Sequence, residues 1–361
     1  MLAHPLQRPP HGICDPRFAA VRDAFAANMD EEIGAALLVS IDGEVLVDLW
    51  AGWADAARTR PWSADTVVDV FSCGKAFVAL TVLSLGLDLD APAWQEATLS
   101  QVLSHQAGHP AVRADVPAEA IYDWDWMVRA LESQEPWWVP GSEHGYHVNT
   151  FGFLCGEIVR RATGESLRTR FGRLAGDAAG VTFGAPPGTD VAEFVFDMGD
   201  DASAEAPAAM SEARRFLLAR TYLNPPGLSG LGTVNSAAWR AAEIPSANCH
   251  ASARGIVAVY ARMPELLGAD VLAEATRAWS DGPDVVLNRH TRFGLGFQLT
   301  QPDRPLGHGP RAYGHFGAGG SLGFHDPDSG LVFAYVCNRC EGRRWQTDRN
   351  RRLLDALASA L

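Results

Sequence analysis

Between Pro16 and Met29, Phe18, Val21 and Phe25 recur at helical spacing, with Asp15 placed to cap the helix they predict. AALLVSIDGEVLVDLWAG then reads as two strands joined at Asp42-Gly43, a dipeptide that suits a tight hairpin turn. From Ala76 to Leu87 the chain is apolar nearly all round, which predicts a helix buried between two layers. Near the other end, FGLGFQLTQ, AYGHFG, SLGFHDP and GLVFAYVCN read as further strands. The last two meet at a turn over Asp326-Pro327-Asp328-Ser329-Gly330. Leu353, Leu354, Leu357 and Leu361 form the stripe of a closing helix, whose wet face accounts for the basic run RRWQTDRNRR.

The middle of the chain lacks these long regular patterns. It is rich in Ala, Arg, Trp and Pro, with short helical stretches broken by WWVPGS, GAPPGTD and LNPPGLSGLG. The simplest architecture is α/β, more narrowly α+β. An antiparallel sheet is built from residues 1–84 and 291–361 and flanked by helices, and residues 85–290 form an inserted, mostly helical domain.

Composition narrows the function. An apolar content of 47% suffices for a sizeable core, and a net charge of −13 argues against a nucleic-acid partner. MLAHPLQRPPHG lacks the apolar core of an export signal, and the Ala76–Leu87 run is too short to span a bilayer. These features point to a soluble cytoplasmic protein with no membrane partner. The oligomeric state is not legible. Six scattered cysteines show no disulfide framework. Cys337-x-x-Cys340 has no second pair to complete a zinc site, and the pairs His144/His147 and His105/His109 lack an acidic third ligand. No metal and no cofactor are expected.

The chain has one lysine, Lys75, against twenty-nine arginines. It stands three residues after Ser72, in VFSCGKAF, at the start of the apolar helix. On a helix that spacing puts both side chains on one face, and the helix N-terminus favours a developing anion at the serine. A serine hydroxyl needs a base to become a nucleophile. Burial lowers a lysine pKa, whereas arginine stays charged in any protein setting, so this is a place where the cation must be able to lose its proton. Ser-x-x-Lys alone is a weak signal and needs company.

The company is PGSEHGYHVNTFGFLCGEIV, with Pro140-Gly141, Tyr146, Thr150-x-Gly152 and Gly156-Glu157-Ile158, followed by GHFGAGGSLGF, with His315-Phe316-Gly317. LSHQAGHP at 103–110 and NPPGLSG at 224–230 add to the pattern. With these in order, roughly residues 15 to 340 resemble the serine β-lactamase and penicillin-binding-protein superfamily, and especially its esterase branch, the family VIII carboxylesterases. The resemblance implies a sheet domain and a helical insertion with the active site between them. Ser72 would form the acyl-enzyme, and Lys75 and Tyr146 would share base and acid work. The backbone N–H groups of Ser72 and Ala318 would form the oxyanion hole. His315, Gly317 and Asn149 would contact substrate.

Two departures bear on the substrate. Val148 stands where the strict β-lactamase pattern has asparagine, with Asn149 one residue late, and His315 replaces the lysine of Lys-Thr-Gly. Both changes weaken the grip on an anionic penicillin more than they weaken acyl transfer. If His315 must be neutral, activity is expected to fall as pH drops through its pKa, about 6.5 if unperturbed. The segment LGLDLDAPAWQEATLSQVLSH is also shorter than in many relatives. Gly319-Gly320-Ser321-Leu322-Gly323 fits G-x-S-x-G, but a strand and turn follow instead of the required helix, so Ser321 is set aside. Trp124, Trp126, Trp137 and Trp138 could wall an acyl pocket, although packing explains most of them.

The expected function is therefore a cofactor-free serine hydrolase, a carboxylesterase acting on small acyl esters. Its rivals are a β-lactam or D-amino-acid peptide hydrolase, an acyltransferase using the same residues, and a non-catalytic binding protein of the same fold.

Overall fold

The computed structural model describes residues 10–176, 180–197, 210–341 and 347–361. The segment MLAHPLQRP and the first four residues of RRWQTDRNRR lie outside them. The centre of the molecule is a nine-stranded sheet. Its strands are β1 (His11–Cys14), β2 (Gly34–Ile41), β3 (Glu44–Gly52), β4 (Ser280–Asp284), β5 (Arg289–Phe293), β6 (Gln298–Leu299), β7 (Tyr313–Phe316), β8 (Leu322–Asp326) and β9 (Leu331–Cys337). They lie in the order β1-β3-β2-β9-β8-β7-β6-β5-β4, and every neighbouring pair is antiparallel.

The central seam pairs β2 with β9, running from Leu331 opposite Ile41 to Cys337 opposite Ala35. Alternation along these strands divides the core in two. Leu37, Val39, Phe333 and Tyr335 point to the layer formed by α1 (Ala19–Asn28) and, at the far end of the chain, the Leu353, Leu354 and Leu357 stripe of helix Asp348–Ala358. Ala36, Leu38, Ala334 and Val336 point the other way, towards α2 (Gly74–Leu83). α4 (Ala253–Leu267) packs beside α2 directly on β2 and β9, α3 (Thr150–Thr163) packs against α2, and the helix Asp348–Ala358 is α5. Helices on both faces explain why β2 reads as a continuous apolar run and not as a half-polar strand.

Asp15 caps the first turn, accepting from the Arg17 N–H at 2.9 Å, and the Asp42-Gly43 hairpin joins β2 to β3. Two expectations fail. FGLGFQLTQ is not one strand: Phe293 ends β5, Gly296 adopts φ +80°, and only Gln298–Leu299 returns to the sheet. The glycines that made the stretch look like an apolar strand let the chain turn there. Strands β1 and β4 had no sequence signal, because HGIC and SDGPD carry little apolar alternation. They form the two edges of the sheet, paired through their backbones, with β4 also held by side-chain hydrogen bonds of Ser280 and Asp284. β4 and the start of β5 precede position 291, so the sheet draws on chain upstream of that point.

Among the described residues no helix is long and apolar enough to cross a membrane. Leu353 on α5 is fully buried in the outer core. Leu353→Ala is expected to lower unfolding free energy by about 2–5 kcal/mol, read by urea unfolding, with ester turnover of the folded fraction unchanged.

Candidate active site

Ser72 sits in the short 3-10 turn Phe71–Cys73 that leads into α2. Phe71 adopts φ +48°, a conformation bulky residues rarely take, so this turn holds local strain. Asp69 fixes it. One carboxylate oxygen accepts from the Phe71 N–H at 2.8 Å and the other from the Trp239 indole at 2.9 Å. Burial pushes the Asp69 carboxyl up to about 8, against the pull of those two donors. Ser72 is half-buried while its two neighbours are buried.

Lys75, one turn further, is completely buried. Its Nζ donates to Ser72 Oγ at 3.0 Å and to the Ser246 carbonyl at 3.0 Å, and it lies 5.0 Å from the Tyr146 ring centroid. Loss of water drives its pKa well below the usual lysine value, and the thiols of Cys73 and Cys155 only partly oppose this. Among the described residues no carboxylate pairs with it. Burial favours the neutral form of this amine, the form that carries a lone pair.

Tyr146 is held from both sides. Its N–H donates to Asp284 Oδ2 at 3.0 Å, and its ring stacks on Phe293 at 5.7 Å with the planes 3° apart. Asp284 also accepts from the Val286 and Leu287 N–H groups and the Thr291 hydroxyl. Burial raises the Tyr146 phenol well above its ordinary range, and hydrogen bonding with Ser72 offsets part of that shift. Burial thus favours the protonated phenol beside the serine.

The nearby histidines serve as struts. His147 Nε2 accepts from the His109 N–H at 3.0 Å, and His105 Nδ1 accepts from the His147 N–H at 3.3 Å. Burial lowers the pKa of each. Among the described residues no group of three His, Cys, Asp or Glu side chains is placed to hold a metal ion.

The third motif closes the other side. His315 ends up 5.9 Å from Tyr146, ring centroid to ring centroid. Its Nδ1 lies 2.7 Å from the Phe316 carbonyl; a carbonyl only accepts, so Nδ1 carries the hydrogen and Nε2 the lone pair. Burial, reinforced by Lys75, brings its pKa down to about 3. The expectation of a titration near 6.5 is therefore corrected: this imidazole is neutral throughout the working range. Gly317 abuts the nucleophile turn so closely that a Cβ would stand 2.2 Å from the Val70 carbonyl. Ala318 opens the 3-10 turn Ala318–Gly320. The N–H groups of Ser72 and Ala318 thus both lie in first turns, where helix geometry provides no internal acceptor.

Asn149 departs from its expected place. It is buried, and its amide donates to the Thr221 carbonyl at 2.9 Å and to Ser229 Oγ at 3.1 Å, so it ties the helical region together. Ser321 is fully buried between the turn and β8. Trp124, Trp137 and Trp138 donate to Glu157, Ala111 and Gln106 and act in packing. Cys337 lies in β9, and no disulfide forms among the described cysteines.

Sequence reasoning missed Asp69, Ser246 and Asp284. Asp69 gave a faint signal as an acid inside the apolar run TVVDVF. Ser246 gave none, because it acts through its carbonyl.

The Beta-lactamase family model matches residues 21–358. The chain is 33% identical over 357 residues to the Esterase/beta-lactamase LipL of Mycobacterium tuberculosis, covering 91% of this chain and 82% of that protein. A family VIII carboxylesterase structure superposes with a TM-score of 0.86 at 34% identity, covering 98% of this chain and 100% of the other. A penicillin-binding protein homologue from Caulobacter crescentus gives 0.85 at 31% identity, with the same coverage.

The imidazole of His315 should show no titration between about pH 5 and 8 when followed by nitrogen NMR, in contrast to an unperturbed histidine.

Proposed function

This chain belongs to the beta-lactamase family and is a serine hydrolase, and we propose that it is a carboxylesterase cleaving small acyl esters through an acyl-enzyme on Ser72. The observation that carries this reading is the buried Lys75 amine, 3.0 Å from Ser72 Oγ and without a carboxylate partner.

The shifted pKa values divide the labour. Lys75 takes the Ser72 proton as the oxygen attacks the ester carbonyl, becoming an ammonium for the life of the tetrahedral adduct. The oxyanion is held by the N–H groups of Ser72 and Ala318. Tyr146, whose phenol keeps its proton at neutral pH, delivers that proton to the departing alkoxide and regains one from Lys75. Water then takes the place of the alcohol, and the same groups run the transfer in reverse to free the acid.

The substrate class follows from what the third motif lacks. A neutral imidazole at His315 offers no cation for a substrate carboxylate, and Asn149 is tied to Thr221 and Ser229. A small neutral ester needs neither group. We place the site between the sheet domain and a helical insertion over residues 85–290, and we assign the protein to the cytoplasm because its cysteines are unbridged and its charge is acidic.

Turnover of p-nitrophenyl butyrate should exceed that of nitrocefin, and a fluorophosphonate should label the Ser72 peptide. Preferential nitrocefin hydrolysis, or label elsewhere, would overturn the reading. Lys75→Arg keeps the charge and removes the base, so kcat/KM should fall by about 10³-fold or more, within the range of general-base removal. Activity should decline as pH falls through the depressed Lys75 pKa, because only the unprotonated amine is competent. Arg at position 75 with near-normal turnover would contradict the proton-transfer role.

A further inference from the structure

Behind Ala318 lies a fully buried ion pair that the chemistry above does not use. Arg349, the second residue of α5, and Glu32, on the loop before β2, meet with Nη1 and Oε1 2.7 Å apart. Both side chains are essentially inaccessible to water, at 1% and 0% exposure. A buried pair recovers its desolvation cost poorly, so it is weak evidence for stability and invites another explanation.

The guanidinium supplies one. Its other terminal nitrogen, Nη2, donates to the Gly319 carbonyl at 2.9 Å and to the Arg339 carbonyl at 3.2 Å. The next residue, Asn350, donates from Nδ2 to the Gly320 carbonyl at 2.7 Å, and its own amide oxygen is fixed by Thr347 at the start of α5. The Cys337 thiol reaches the same Gly319 carbonyl at 3.5 Å. Gly319 and Gly320 have φ +82° and +112°, conformations that side-chain-bearing residues avoid, so the turn has little intrinsic preference of its own. At its mouth, the Gly317 N–H donates to the Ser321 carbonyl at 2.7 Å and the Gly320 N–H to the Gly317 carbonyl at 3.3 Å. The peptide plane that carries the Ala318 N–H is thereby set by a turn whose inner carbonyls are clamped from α5.

We propose that Arg349, oriented by Glu32, is a positioning residue that aims the Ala318 N–H at the reacting carbonyl oxygen. This rests on the esterase reading of the site. Glu32 is held in turn by the Tyr335 hydroxyl at 2.7 Å, so the chain of support runs from the central strand β9 to the oxyanion donor. Lysine could neutralise Glu32 but lacks the rigid fork that aims one nitrogen at Glu32 and the other at the two carbonyls.

The test compares full-length wild type with Arg349→Met, Arg349→Lys and Glu32→Gln on p-nitrophenyl butyrate and on the matching thionoester, whose sulfur accepts hydrogen bonds poorly. For Arg349→Met, kcat on the ester should fall about 10- to 100-fold with KM nearly unchanged, the scale of a misplaced catalytic group. The ester-to-thionoester rate ratio should shrink with it. Arg349→Lys should resemble Arg349→Met. Should Arg349→Met fail to fold, Glu32→Gln, which removes the charge and keeps the shape, should show the same kcat and ratio changes to a smaller degree.

Folded variants with kcat within about twofold of wild type, equal losses on both substrates, or full rescue by Lys would overturn the proposal. An inactive wild type that takes no fluorophosphonate at Ser72 would instead remove the esterase reading on which it rests.

Discussion

The exclusion of water from a single amine organises this molecule. Lys75 lies in a helix whose every residue is buried, and a cation there would have to give up its hydration with no carboxylate in return. Burial favours the neutral amine, which sits 3.0 Å from each of two oxygens, Ser72 Oγ and the Ser246 carbonyl. The Tyr146 phenol beside it is governed by the same exclusion of water, since its own burial raises its pKa. Burial likewise keeps the His315 imidazole neutral. Arginine could occupy no such place, which is why the chain retains a lysine here alone.

The scaffold around the amine is built to hold strained backbone in place. Asp69 and Trp239 stabilise the left-handed Phe71 on one side, and Arg349 and Asn350 clamp the glycine turn on the other. Each device ties a buried charged side chain to backbone groups of the turn it holds, which adds rigidity. Between them lie the two N–H groups that the proposed chemistry needs. Preorganisation of this kind does its work before substrate arrives, so no reorganisation is required as charge develops on the carbonyl oxygen.

How much of this the sequence could yield depends on whether the information is local. The hairpin at Asp42-Gly43, the strands β7 to β9 and the terminal helix were legible because period and turn chemistry are written in neighbouring residues. β1 and β4 were not, because edge strands can be specified by backbone pairing without an apolar pattern. Ser72, Lys75 and Tyr146 were legible as motifs, and the structure brings them together. Ser246 and Asp284 were invisible because they act on residues far away in the chain, one of them through its carbonyl. The neutral state of His315 near pH 7 was legible, but the size of its pKa shift was not, because burial sets it and flanking residues do not encode burial.

The seam between β2 and β9 has a consequence for how the protein is made. Leu37 pairs with Tyr335, so the middle of the sheet joins chain segments nearly three hundred residues apart. Closing so large a loop costs entropy before any contact repays it, and contacts of such separation slow folding. On the ribosome, β2 and β3 must wait as an unpaired hairpin with an open apolar edge until β9 emerges. During synthesis, that edge is where a chaperone would have most reason to bind.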